Sequence, residues 1–257
     1  MPVSLTFSAG TLYGFLLVLA RVSGALAFVP LPGVRSVPQP ARIAFSLAFT
    51  LALFSRWPAV DAAAVSASTL VGWALAEAAL GVAIGLALAI VLEAFGLAAQ
   101  VAGLQAGYAY ASTIDPNTEA DSGVLLVFAQ LMAGMFFFAL GLDRELLRLF
   151  ALTLDRVPPG AWVLGRASAE VMIRLGTNVF TFGVRLALPV VALLVMVDVA
   201  LALLGRINQQ LQLLSLAFPA KMLAALLLLS WTASLVPRLM LESSGQAWTA
   251  LRRMLGL

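Results

Sequence analysis

The 257-residue sequence contains no cysteine and no histidine. That removes disulfides, thiolate nucleophiles, imidazole bases and the usual zinc, copper and haem ligands. Charge is scarce too: Asp, Glu, Lys and Arg make up 11% of the chain, and Lys221 is the single lysine among 15 basic residues. The net charge of +3 is spread over scattered arginines, so no basic patch suited to nucleic acid arises. No basic residue precedes Arg21, which would interrupt the apolar core of a signal peptide despite the cleavage-like pattern from Ala25 to Ala27. The amino-terminal segment is therefore expected to be retained.

What is present is apolar. With 62% hydrophobic residues and a mean hydropathy of +1.04, the chain has too little polar surface to coat a soluble globule of this size. Apolar runs occupy residues 11–29, 43–57, 70–111, 123–142, 171–205 and 211–241. Each is expected to be helical, since backbone in lipid must be satisfied internally and no alternating barrel pattern appears. The expected fold is all-α: a membrane-class protein of long, kinked helices and helical hairpins.

The run lengths do not suit a plain bundle of spans. About 20 helical residues cross a bilayer, whereas the run 70–111 would make a helix of about 60 Å and the run 43–57 is short. Pro189, Pro219 and Pro237 offer places for kinks. The joint Pro30–Pro40 holds four prolines, which fix φ and stiffen it. Arg35 and Arg42 follow the first run, while Arg144, Arg148 and Arg156 follow the fourth among Asp143, Glu145 and Asp155, so loop charges fix no orientation. The stretch from Asp143 to Gly160 has the mixed charge of a solvated face.

On a helix over residues 74–110, Ala74, Ala78, Gly81, Gly85, Ala89, Gly96, Ala99, Gly103 and Gly107 fall within a band about 80° wide. Such a face permits near backbone-to-backbone helix packing, against a helix of this chain or of another. Glu77 and Glu93 flank the band, and Arg21, Arg174, Arg185 and Asp198 also lie in apolar runs. Each is expected to meet a partner, water or an interface.

Enzymatic chemistry finds little support. Asp115 to Asp121 begins like a calcium loop, but Ala120 and Leu126 stand where the turn glycine and bidentate glutamate belong. No phosphate loop, nucleophile elbow or paired-carboxylate arrangement is present. Neither catalysis, cofactor nor metal is expected. Glu77, Glu93 and Asp198, with helices broken at Pro189 and Pro219, would also fit a proton-coupled secondary transporter. Inverted halves are missing, because the glycine stripe has no counterpart in the second half.

Several segments in order resemble the FliR family, called SctT in injectisomes, the export-gate subunit of flagellar and virulence type III secretion systems. They are LARVSGALAFVPLPGVRSVPQPAR, GVAIG followed by GLQAGYAYASTIDP, and ALPVVALLVMVDVALALLGRINQQLQLLSLAFPAK, and the resemblance covers nearly the whole chain. Gln105, Gly107, Asp115, Pro116, Arg206, Gln210, Phe218 and Pro219 match the family pattern, while Ala106 replaces a methionine and Gln209 a proline.

The resemblance implies one copy of the chain in a helical, pore-forming complex with FliP-like and FliQ-like subunits, with FlhB-like and FlhA-like components nearby. The site would be the bacterial inner membrane at the flagellar basal body, and unfolded proteins would be the cargo. It also implies a FliP-like part over residues 1–165 and a FliQ-like hairpin over residues 166–257. The glycine helix, at Gly81, Gly85, Ala89, Gly96 and Gly103, would then pack on neighbouring subunits. Gln105, Gly107, Tyr108, Tyr110, Ser112, Asp115 and Pro116 would form a loop plugging the closed pore, and Arg206, Gln210, Phe218, Pro219 and Lys221 the motif of the hairpin.

Overall fold

The computed structural model describes residues 8–28, 38–61, 63–107, 123–162, 165–207 and 213–256. The described residues are helical with no strand, an all-α fold. In chain order they form α1 (Ala9–Phe28), α2 (Gln39–Ala52), one 3-10 turn (Phe54–Arg56), α3 (Ala67–Ala106), α4 (Gly123–Ala139), α5 (Leu142–Arg156), α6 (Arg166–Ile207), α7 (Leu213–Thr232) and α8 (Val236–Leu255).

Local chemistry sets several of these limits. The Ser8 and Ser66 hydroxyls accept from the Thr11 and Thr69 N–H groups at 3.2 Å each, satisfying donors that a helix start leaves open. Pro40 sits in the first turn of α2, where its missing N–H costs nothing. At the end of α3, Gly107 turns to φ 85°, the left-handed conformation that stops a helix and that glycine adopts without strain. Gly141, at φ 71°, separates α4 from α5 in the same way.

The described residues divide into two compact units. One lies within Met1–Ala89, Gly141–Leu175 and Gln246–Leu257, the other within Ile90–Leu140 and Gly176–Gly245. In the first unit α1 and α3 pack almost backbone to backbone. A Cβ on Gly81 would lie 2.0 Å from the Arg21 carbonyl oxygen, one on Gly85 2.2 Å from that of Ala25, and one on Gly24 2.3 Å from that of Ala78. Aromatic contacts close the short α2: Phe15 meets Trp57 at 5.2 Å between ring centres and Phe49 meets Phe150 at 5.7 Å, while Trp57 Nε1 donates to the Thr50 carbonyl.

The second unit is centred on Ala102, Ala106, Leu125, Val190, Leu194 and Ala225, all buried. Here α4 covers the later part of the glycine stripe, with Leu126 beside Gly96 and Leu125 beside Gly103. Pro189 does not end α6, which runs for 42 residues. Ala187, Val190 and Leu194 are buried on both sides of it, and that packing holds the helix where the ring removes one backbone hydrogen bond. Pro219 likewise lies inside α7. Pro237 occupies the first turn of α8, beside a 61° bend from α7.

Among the described residues, three helices are long and apolar enough to cross a membrane: Ala9–Phe28, Ala67–Ala106 and Ser168–Arg206. Counting the bent pairs α4 with α5 and α7 with α8 as one span each brings the total to five. Only 17% of the apolar window in α6 is buried, so most of that helix is left for lipid or for other chains.

Candidate functional site

Each unit places one polar cluster inside apolar helices. In the first, Arg21 of α1 and Glu77 of α3 form an ion pair through Nε and Oε2, with side chains 2% and 3% exposed. The remaining arginine donors go to Thr153 Oγ1 and the Val157 carbonyl, both at 3.2 Å. The Gly160 N–H donates to the other Glu77 oxygen at 3.3 Å. Thr153 Oγ1 in turn donates to the Phe150 carbonyl. The pair thus fastens α1 and α3 to the end of α5 and the turn that follows. Desolvating two charges is tolerable only with further hydrogen bonds, and here each guanidinium nitrogen and each carboxylate oxygen has a partner.

In the second unit, Gln105 in the last turn of α3 donates through Nε2 to Asp198 Oδ2 of α6 at 3.1 Å. Lys221 of α7 reaches the same carboxylate at 2.8 Å to Oδ1 and 3.0 Å to Oδ2. Lys221 is 13% exposed and Asp198 41%. The buried Ala102, Ala106, Leu194 and Ala225 lie within about one turn of these residues along the same helices, and the polar contacts tie three helices where α3 stops. Among the described residues no three Asp or Glu side chains converge on a metal-sized space.

The structure therefore brings together Gln105, Lys221 and Asp198, which the sequence places in three separate segments. Arg206 is exposed near the end of α6, Pro219 is exposed in α7, and Gly107 ends α3. Gly81 and Gly85 face α1, Gly96 and Gly103 face α4, and Ala89 is half-buried. Tyr108, Tyr110, Ser112, Asp115, Pro116 and Gln210 lie outside the described residues, and the side chain of Phe218 is likewise not described.

Sequence reasoning raised Arg21 and Glu77 only as separate questions. Two lone charges of opposite sign in neighbouring apolar runs were the available signal. Nothing in the sequence marked Thr153, Val157 or Gly160 as their partners, because two of those contacts are made by backbone groups. Also in the second unit, Phe95, Ala99, Leu125, Met132, Ala187 and Ala233 help line an apolar cavity of about 60 Å³ among α3, α4, α6 and the residues after α7.

Comparison with known proteins gives a consistent result. The family described as "Bacterial export proteins, family 1" matches residues 12–247. The chain is 28% identical over 220 residues to "Flagellar biosynthetic protein FliR" of Escherichia coli strain K12, covering 85% of this chain and 82% of that protein. A protein of the same description from Bacillus subtilis strain 168 is 28% identical over 221 residues, 84% of each chain. Its counterpart from Caulobacter vibrioides is 26% identical over 230 residues, 88% of this chain and 91% of the relative.

Proposed function

The chain belongs to the bacterial export proteins of family 1, and from that premise we propose that it is a subunit of the flagellar protein export gate. The family match over residues 12–247 carries the reading, supported by relatives described as flagellar biosynthetic proteins. The chain acts without catalysis, in the bacterial inner membrane at the flagellar basal body. It joins FliP-like and FliQ-like subunits, near FlhB-like and FlhA-like components, in a pore for unfolded proteins. Residues 1–165 form the FliP-like part and residues 166–257 the FliQ-like hairpin.

In this reading the segment from Tyr108 to Pro116 plugs the resting pore, and Arg206, Gln210, Phe218, Pro219 and Lys221 shape the hairpin. Exported chains differ in sequence, so the seal must yield without fixed chemistry; aromatic bulk with small neighbours and a polar tip has that character. The plug begins three residues after Gln105, which is hydrogen-bonded to Asp198 and through it linked to Lys221. Its anchor is thus the cluster of Gln105, Asp198 and Lys221. Exposed apolar side chains along α6, among them Phe180, Leu188 and Met196, supply the contact area an assembled gate requires.

The reading is tested by removing the gene from its own host and assaying flagellar proteins in the medium. Export should stop and return with the intact gene; undiminished export without it would overturn the proposal. Deleting residues 108–120 should raise ion leakage through the assembled complex, and unchanged leakage would refute the plug.

A further inference from the structure

In the second unit, Ile90, Glu93, Leu97, Gln100 and Leu104 of α3 follow one another at steps of three, four, three and four residues. At 100° per residue they fall in one band about 80° wide, and their spacing is that of a heptad seam, with Ile90, Leu97 and Leu104 at one position and Glu93 and Gln100 at the other. Glu93, Gln100 and Leu104 are exposed, Leu104 to 57%, while Ile90 and Leu97 are half-buried. On one side of the seam Leu97 touches α6 near Gly183, and on the other Leu126 of α4 lies beside Gly96. The seam is thus a shallow groove floor bordered by two helices.

Neither Glu93 nor Gln100 has a partner among the described residues. This separates Glu93 from Glu77, Glu170 and Asp198, the other carboxylates described in α3 and α6, which are paired with Arg21, Arg166 and Lys221. Glu93 Oε2 lies 3.4 Å from where a Gly96 Cβ would stand, so the carboxylate rests over a gap a side chain would otherwise fill. A lone carboxylate on an apolar helix selects against lipid. A charged and an amide group one heptad apart in a seam fix the register of a partner helix.

We propose that this seam is the docking site of a helix from another subunit, one that presents a lysine or arginine to Glu93 and a hydrogen-bonding side chain one heptad away to Gln100. Its leucine or isoleucine side chains pack between Ile90, Leu97 and Leu104. The proposal rests on the export-gate reading, which requires neighbouring subunits. It adds a particular face of the chain and the chemistry of what covers it.

The test uses the full chain co-expressed with the other gate subunits of its genome, carrying a photo-crosslinking amino acid at Leu104. Illumination should capture a peptide of another subunit that has Lys or Arg about three helical turns from the captured position, at the level of Glu93. Glu93→Lys should lower recovery of the complex at least tenfold and Glu93→Gln less, with the isolated variants melting in detergent like the wild type. Substituting the captured basic residue by Glu should restore assembly of Glu93→Lys. Capture of lipid alone, or normal assembly of Glu93→Lys, would overturn the docking site while leaving the gate reading intact. If the wild-type chain itself joined no complex, both would fall.

Discussion

At the residue scale, the chain handles rare charges in two ways. Arg21 and Glu77 are buried, paired and further hydrogen-bonded to Thr153, Val157 and Gly160, so removing one partner strands the other. Arg21→Met or Glu77→Gln should each cost about 3 to 5 kcal/mol, whereas the double variant Arg21→Met/Glu77→Met should recover most of that loss. Melting of the purified chain in detergent checks both statements, and a double variant as unstable as the singles would contradict them. Gly81 gives a second prediction. Its Cβ would meet the Arg21 backbone, so Gly81→Val should cost about 3 kcal/mol through overpacking. Gly176→Ala, with open space around it, should be neutral or stabilising by about 1 kcal/mol. The close approach was legible at this scale because nine small residues recur on one face. That α1 and α4 face those glycines within this chain was not, since small residues report the distance of approach and not the identity of the neighbour.

Elements were legible in proportion to their hydrophobicity. The apolar runs anticipate α1, α2, α3, α4, α6 and α7, and a 40-residue α3 agrees with the long run from residue 70. Two helices depart from the reading. The stretch Asp143 to Gly160 reads as a solvated joint, yet α5 occupies Leu142–Arg156 with Leu142, Leu149, Phe150 and Thr153 buried. Those positions repeat at helical spacing, with Arg144 and Arg148 left exposed, so the mixed charges describe only its outer face. In α8, Met240, Ser243, Ser244, Ala247 and Leu251 are buried at the same spacing, and Arg252 and Arg253 sit favourably in the last turn. Mean hydropathy misses such helices because their two faces cancel. The start of α5 depends on Gly141 at φ 71°. Gly141→Val should therefore cost about 1 to 2 kcal/mol and speed amide hydrogen exchange in the first turn of α5; exchange unchanged from wild type would show that the left-handed residue is dispensable.

At the scale of the whole molecule, long helices contribute to two compact units, and a sparsely buried α6 leaves apolar surface for lipid or for other chains. Gln105, Asp198 and Lys221 illustrate how far sequence carries such a site: their types and motifs marked each as notable, while the contact among them required three helices to converge. The most direct test is native mass spectrometry of the tagged chain co-expressed with FliP-like and FliQ-like proteins of its own genome and gently extracted. The account predicts a single copy of this chain in a larger hetero-oligomer with both partners. Recovery only as a monomer or homo-oligomer, with those partners present and folded, would contradict it.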